Sequence, residues 1–321
     1  MNLLREPSRN YAEVQDEVAG AVLRHLPSEA VTSSQGERRE GHVNLTLFIR
    51  RPGDVLLSHG VADKSYLFIR GEDGERLVNG FQHVLVPGAW QRDRLLGAPS
   101  VTLTPDRIHV VGWPRLDTLL EQQAEQRGWD TDATRRRPRV LWAPTHDRRK
   151  RGPDQRSSSS YPELEADVPA IAEHAEVAVS LHPSNRKDKR PTGSQLLWAD
   201  VVISDFGTMV YEAWALGKPV IFPRWIFGDH VVEHLPRAAE GHIHRERIGL
   251  HADSLGELLE MVGSRAPLGD DVTRFMADYL DPTTYGRAGR LAAHVLDALR
   301  RGIPPAEVPS WSLRHRWRWR G

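Results

Sequence analysis

The sequence predicts an α/β protein with parallel sheets in two domains, and three observations predict it. Short β-branched apolar runs recur along the chain, each bounded by glycine, proline or a charged turn, and helical stretches separate several of them. Ala199 to Phe222 reads as strand, tight turn, helix, turn and strand. A polar stretch from Glu121 to Arg139, with three arginines and Pro138 near its end, separates two such series.

In chain order, Tyr11, Val14, Val18, Val22 and Leu26 recur at helical spacing over residues 10–26. Ser28 to Gly41 is polar and turn-rich, which predicts a loop. Four strands are predicted at Val43 to Ile49, Asp54 to Leu57, His83 to Val86 and Ile108 to Val111, with a helix at Trp90 to Leu96. Asp130 and Asp132 in the polar stretch match the Asp-x-Asp metal motif of some sugar transferases. With no strand before them they read as a solvated turn.

The second series opens with strand Val140 to Thr145 and a basic, serine-rich loop from His146 to Ser160. Helix Pro162 to His174 and strand Val177 to Leu181 follow, ending at His182. A loop with Asn185, Arg186, Lys187, Lys189 and Arg190 leads to helix Gly193 to Trp198. Val201 to Ile203 then reads as a buried parallel strand. Thr208 opens a helix closed by Gly217 and Pro219, and Val220 to Phe222 starts the next strand. Further on, Leu255 to Val262 and Val272 to Leu280 read as helices, and Tyr285 to Leu299 as a strongly amphipathic one. The last stretch, Trp311 to Arg320, alternates arginine with tryptophan. Such a segment suits an anionic membrane surface or nucleic acid, or is simply a basic terminus.

Composition narrows the function classes. Lysine plus arginine and aspartate plus glutamate both total 43 in 321 residues, so a nucleic-acid or membrane partner must be met by a local patch. The absence of cysteine excludes disulfides, thiolate zinc sites and a thiol nucleophile. No apolar run reaches membrane-spanning length and the N-terminus lacks a secretory h-region. A cytoplasmic protein is expected, with the inner membrane face as a peripheral site. A Gly-x-Ser-x-Gly elbow is missing, and no strand leads into Gly-x-Gly-x-x-Gly, which disfavours Ser-His-Asp hydrolases and Rossmann dehydrogenases.

Ligands of open parallel sheets bind at the carboxyl ends of strands. Four such ends carry polar residues: Ser58, His59 and Gly60; Thr145 and His146; His182; and Asp205 to Thr208. A helix opening at Thr208 directly after a strand offers free N–H groups to an anion such as a nucleotide diphosphate, with Glu212 one turn on for a ribose diol. The alternative is that Asp205 and Thr208 cap the helix and Glu212 is a solvated surface residue. His59 suits a general base toward a hydroxyl, and His182 a group that stabilises phosphate charge. Basic residues on the 146–160 and 185–190 loops could neutralise a diphosphate, and no carboxylate cluster at strand ends implies a metal.

Ser204 to Ile221, with its Asp-Phe-Gly-Thr turn, Tyr-Glu pair and Leu-Gly-Lys-Pro ending, resembles the donor-binding segment of the CDP-glycerol glycerophosphotransferases, the teichoic acid primases and polymerases. Ser58 to Gly60 resembles that family's His-Gly-Thr motif, and Val111 to Asp117 its Gly-x-Pro-Arg-x-Asp linker. Leu141 to Thr145 and Leu181 to Pro183 resemble its Tyr-Ala-Pro-Thr and Leu-x-His-Pro segments. Gly207 and Thr208 stand where the family has Ser-Ser, and after His59 and Gly60 only Lys64 keeps a family-like position.

The resemblance implies a GT-B fold, with two Rossmann-like domains facing a central cleft and a C-terminal helix crossing back. Residues 1–130 would form the acceptor-side domain, 131–284 the nucleotide-donor domain, 285–302 the crossover helix and 303–321 the tail. It implies a metal-independent transferase without cofactor, taking a nucleotide-diphosphate donor such as CDP-glycerol. His59 and His182 would be catalytic; Thr145, Asp205, Gly207 and Thr208 would hold the diphosphate. Glu212 would bind the ribose, as in other GT-B sugar-nucleotide enzymes, and Lys64, Asn185, Arg186 and Lys189 would contact phosphate or acceptor. Two other readings stay open: a glycosyltransferase using an NDP-sugar on a glycan, lipid or modified-DNA acceptor, and a non-catalytic nucleotide- or glycan-binding module.

Overall fold

The computed structural model describes residues 1–6, 12–127, 136–145, 158–182, 192–265 and 267–305. In chain order its regular elements are β1 (Asn2–Leu4), α1 (Ala12–Leu23), β2 (Thr32–Ser34), β3 (Asn44–Thr46), β4 (Val55–Leu57), β5 (His83–Val86), α2 (Ala89–Leu96), β6 (Ile108–Val110) and α3 (Pro114–Arg127). They continue with β7 (Arg139–Ala143), α4 (Val168–His174), β8 (Glu176–Val179), α5 (Thr192–Trp198), β9 (Val201–Ser204), α6 (Thr208–Ala215), β10 (Val220–Pro223), α7 (Arg224–Phe227) and α8 (His230–His234). The last are α9 (Ala239–Arg245), β11 (Leu250–Ala252), α10 (Leu255–Ser264), α11 (Asp270–Tyr279) and α12 (Ala288–Arg300).

The chain divides into two compact units. Unit 1 comprises Met1–Val61, Tyr66–Leu120 and Met276–Gly321, and unit 2 comprises Ala62–Ser65 and Glu121–Phe275. The divisions at 120/121 and 275/276 fall inside α3 and α11, where the sequence placed its own at 130/131 and 284/285.

Unit 1 holds a six-stranded sheet in the order β2-β1-β3-β4-β5-β6, and every pair is parallel. Its interior packs Leu56, Val84 and Val86 from the strands against Leu95 of α2, with Phe81 and Leu103 alongside. Unit 2 holds a five-stranded sheet in the order β11-β10-β9-β7-β8, again wholly parallel. Val140, Trp142, Ile203 and Ile221 pack there against Ile171 of α4 and Leu258 of α10. The inner strands β4, β9 and β10 are buried along their whole length and read as continuous apolar runs, the pattern expected of parallel sheets, whereas the edge strands β2 and β8 are partly exposed.

Three sequence expectations change. The Ser28 to Gly41 loop contains strand β2, and the N-terminus contributes β1. Both escaped notice because they are three residues long and polar in part. Asn2 is fully buried yet satisfied, its side-chain amide donating to Asn44 Oδ1 and to the Glu37 carbonyl, each at 3.0 Å. The polar stretch after Leu120 begins inside α3, whose Leu116 and Leu119 are buried while its later residues are largely exposed. Pro114 at its first position lacks only an N–H that the helix start leaves unpaired. Between 223 and 254, a stretch without any predicted element, lie α7, α8, α9 and β11.

The Val111 to Asp117 segment fastens unit 1 together. Asp117 is fully buried, and its two carboxylate oxygens accept from the backbone N–H groups of Ala288 and Gly289, at 3.1 and 2.8 Å. It therefore caps α12 from a distance in sequence. Arg115 reaches Glu17 of α1 at 2.5 Å. Gly289 lies so close to α1 that a Cβ there would be driven into the carbonyl oxygen of Ala21. Replacing Asp117 by alanine leaves two buried N–H groups without acceptors, and urea unfolding should show a loss of about 2–4 kcal/mol. A loss below about 0.5 kcal/mol would remove this role.

Candidate functional site

In unit 2 the chain goes from β7 out to β8 at one edge, then returns past β7 to lay down β9, β10 and β11. The topological switch point therefore lies between β7 and β9, and open α/β sheets bind ligands just beyond that point. The residues leaving these two strands are Thr145 and Asp205 to Thr208.

Asp205 ties the two strand ends together. It is fully buried, and its Oδ2 accepts from the Thr145 backbone N–H at 2.8 Å and lies 3.2 Å from the Ser159 hydroxyl. The Asp205 carbonyl accepts from His244 Nε2 at 2.8 Å. Burial pushes its carboxyl up to about 6, while the Ser160, Thr145 and Ser159 donors pull it back. An anionic carboxylate already engaged by the fold is poorly suited to bind a diphosphate directly, and Asp205 acts here as the brace of the turn. Ser159 and Ser160 escaped the sequence reading because they lay in a run of four serines with nothing to distinguish them.

Gly207 is the N-cap of α6, at φ 116 and ψ −169. The N-cap residue is a glycine with no side chain to cap the helix, so the expectation that Asp205 or Thr208 does so is corrected: Asp205 faces β7, and Thr208 is the first helical residue, half-buried. Thr145 is buried, and its hydroxyl has no hydrogen-bond partner among the described residues. Glu212 is fully buried in α6, which corrects the alternative that it is a solvated surface residue.

Lys64 belongs to unit 2. Its Nζ lies 4.9 Å from the centre of the Phe206 ring, and a Cβ on Gly207 would lie 3.1 Å from that Nζ. The structure thus brings Lys64 to the start of α6, beside the turn that Asp205 braces. His182 follows β8, the neighbour of β7, and is half-buried at the same carboxyl edge. Asn185, Arg186 and Lys189, the 146–157 loop with His146, Asp130 with Asp132, and the 311–321 tail lie outside the described residues.

In unit 1, His59 follows β4 at the carboxyl edge of its sheet and is half-buried. Its ring stacks on Phe48 with centroids 4.6 Å apart and an interplanar angle of 17°, and meets the Tyr66 ring edge-on at 5.1 Å. Its backbone N–H donates to Leu47 at 2.9 Å.

Behind the turn, His244 packs on Phe222 and Phe227, and His251 on Phe222. Burial lowers their imidazoles to about 3 and about 4, so both are neutral in the folded protein. Below the unfolded value near 6.5 the unfolded chain takes up protons that these rings refuse, so stability falls as pH drops toward 4. Asp205 works in the opposite direction, losing its stabilising proton as pH rises from about 4 to about 6. Glu240, raised by burial and by the Asp63 charge, acts in the same sense as Asp205. Replacing His251 by glutamine should therefore flatten the acid limb. Between pH 7 and pH 4 the variant should lose on the order of 3 kcal/mol less stability than wild type, measured by denaturation at each pH. Parallel curves would contradict this.

Two wholly parallel sheets in two units, with α12 packed back on α1 of unit 1, define the GT-B class of α/β folds. Solved structures place the chain in that class. The wall teichoic acid polymerase TagF matches with a TM-score of 0.63 at 11% identity, over 94% of this chain and 89% of that chain. A candidate UDP-N-acetylglucosamine 2-epimerase from Listeria monocytogenes matches with a TM-score of 0.50 at 12% identity, over 96% of this chain and 98% of that chain. At these identities the likeness shows the fold. No sequence-family model matches the chain, and no curated protein matches it in sequence. Among the described residues, no helix is long and apolar enough to cross a membrane.

Proposed function

We propose that the protein is a transferase that takes a nucleotide-diphosphate donor at the unit 2 switch point and passes a group from it to an acceptor hydroxyl. The observation that carries the reading is the turn between β9 and α6. There a helix start with glycine as its N-cap lies beside the Lys64 ammonium, and Asp205 ties the turn to Thr145, whose buried hydroxyl has no partner among the described residues. Backbone N–H groups, a hydroxyl donor and a cation suit a diphosphate. A fully buried carboxylate behind them holds the geometry rather than competing for the ligand.

The donor we favour is CDP-glycerol. The acceptor oxygen would attack the β-phosphorus, forming a new P–O bond as the bond from that phosphorus to the bridging oxygen breaks. CMP would leave with that electron pair, and the acceptor proton would pass to His59 as general base. Thr208, Gly207 and Thr145 would hold the diphosphate, and His182 would offset the charge that develops on the β-phosphate. Asn185, Arg186 and Lys189 would be further phosphate or acceptor contacts. The reading needs no metal: Lys64 and the helix start supply the positive field.

A second reading keeps the donor site and changes the group. An NDP-sugar carries the same ribose and diphosphate, so the same helix start would receive it; Glu212, one helical turn beyond Thr208, is fully buried without ligand and would have to turn outward to meet the ribose diol. Attack would then fall on the anomeric carbon, with the nucleoside diphosphate leaving. Thermal-shift measurements with CDP-glycerol, UDP-sugars and GDP-sugars separate the two. Stabilisation by CDP-glycerol above the sugar nucleotides supports the first reading. A shift with a sugar nucleotide alone replaces it with the second, and binding without turnover on any acceptor leaves a nucleotide-binding module.

A further inference from the structure

Residues Ala62–Ser65 interrupt the sequence of unit 1 yet pack with unit 2. They are held by two carboxylates in a reciprocal arrangement. Glu240, at the start of α9, accepts from the backbone N–H of Asp63 through Oε1 at 2.9 Å and from that of Lys64 through Oε2 at 2.8 Å. In return, Asp63 Oδ2 accepts from the backbone N–H of Ala239, the first residue of α9, at 3.0 Å, and its Oδ1 accepts from Ser65 N–H at 3.2 Å. The Tyr211 hydroxyl of α6 donates to Glu240 Oε1 at 2.9 Å. Each segment's carboxylate thus satisfies the other's backbone, the logic of a capping box applied across 177 residues of sequence.

This latch is an expensive construction. Glu240 and Asp63 are both buried, at 1% and 3% exposure, and like charges brought together out of water repel. The segment also holds Lys64 and Ser65 at φ 41 and φ 53, left-handed conformations that side chains other than glycine and asparagine rarely take. Strain of this kind persists only where surrounding contacts over-determine it. A segment needed merely to connect two elements would relax. What the arrangement achieves is the placement of one side chain, Lys64, with its ammonium against the Phe206 ring and beside Gly207.

We propose that Asp63 and Glu240 are positioning residues for Lys64, and that their latch fixes its ammonium where it meets the diphosphate of the donor. The inference rests on the donor reading above and adds to it how the cation is set. Glu240 does not touch the ligand. It acts through the backbone of residues 63 and 64, and Tyr211 ties it to α6, the helix whose first turn faces the ligand.

Calorimetric titration of CDP and UDP into the full-length protein tests this, with Lys64→Ala, Glu240→Gln and the double variant beside wild type. Glu240→Gln keeps the shape and an acceptor for one N–H but presents an NH2 to the other. Lys64→Ala should weaken binding about tenfold or more, Glu240→Gln by a comparable factor, and the double variant no further than Lys64→Ala alone. Amide hydrogen exchange of the ligand-free proteins supplies an independent readout: the N–H groups of Asp63 and Lys64 should be protected in wild type and exchange faster in Glu240→Gln. Should Glu240→Gln fail to fold, Asp63→Asn replaces it in the same cycle. Additive losses, or full affinity in Glu240→Gln, would overturn the positioning role and leave the donor site standing. If wild type binds neither nucleotide while the two amides are protected, the donor reading itself has failed and the positioning role falls with it.

Discussion

Replacing His59 by alanine should lower turnover by about 10²–10⁴-fold, the range a general base contributes, while the affinity for the nucleotide donor changes by less than about threefold. The separation follows from where the residues lie. His59 belongs to unit 1, whereas Thr145, Gly207, Thr208 and Lys64 all belong to unit 2. The imidazole is also well placed to be a precise group. Phe48 lies flat against one face, Tyr66 meets it edge-on, and the Tyr66 hydroxyl in turn accepts from the Ile49 backbone N–H at 2.7 Å. Loss of the ring removes stacking of about 1 kcal/mol, so the variant should stay folded. Steady-state kinetics with a donor that stabilises the protein, together with donor titration, checks both halves. Wild-type turnover in the variant would end the assignment, and a loss confined to donor affinity would move His59 to the donor's side.

Replacing Gly207 by alanine should have the second-largest effect, a loss of about tenfold or more in donor affinity with a melting temperature lowered by a few degrees. At φ 116 and ψ −169 the backbone occupies a region that is essentially restricted to glycine, and a Cβ there costs about 1–3 kcal/mol in strain alone. The new methyl would also press on the Lys64 side chain, 3.1 Å from Nζ and 3.3 Å from Cε. The turn could relieve either conflict only by re-aiming the first N–H groups of α6 or by pushing the lysine aside, and both weaken an anion site. Serine should behave like alanine here, because its Cβ meets the same backbone and the same lysine. Unchanged affinity in both variants would mean that the ligand does not use this turn.

The two sheets were legible because wholly parallel strands must be apolar on both faces. His83 to Val86, Val201 to Ser204 and Val220 to Pro223 stand out in the sequence for that reason. Strands β1 and β2 were not legible. Asn2, Thr32 and Ser34 enter the sheet through side-chain hydrogen bonds that pattern reading does not see. The strand ends carrying Thr145, His182 and Asp205 were also legible, since polar residues after an apolar run mark a sheet's carboxyl edge. Their division of labour was not. Asp205 reads as a ligand until burial and the Thr145 N–H show it to be a brace, and Glu212 reads as a ribose ligand or a surface acid, the second of which its full burial removes. Asp63 and Glu240 were invisible for a different reason. Their partnership spans most of the chain, and an acid beside a lysine in one segment and an acid on a short helix in another carry no local sign of each other.

On the proposed function, the start of α6 in unit 2 receives the diphosphate of a nucleotide donor. A crystal structure of the protein soaked with CDP would locate that diphosphate. The diphosphate should lie at the first turn of α6, within hydrogen-bond distance of the Thr208 backbone and hydroxyl, with the Lys64 ammonium against it and Asp205 still bound to the Thr145 N–H. An ordered nucleotide whose phosphates lie elsewhere, for instance in the 720 Å³ cavity of unit 1 lined by Arg38, Arg39, His83 and Arg300, would contradict it.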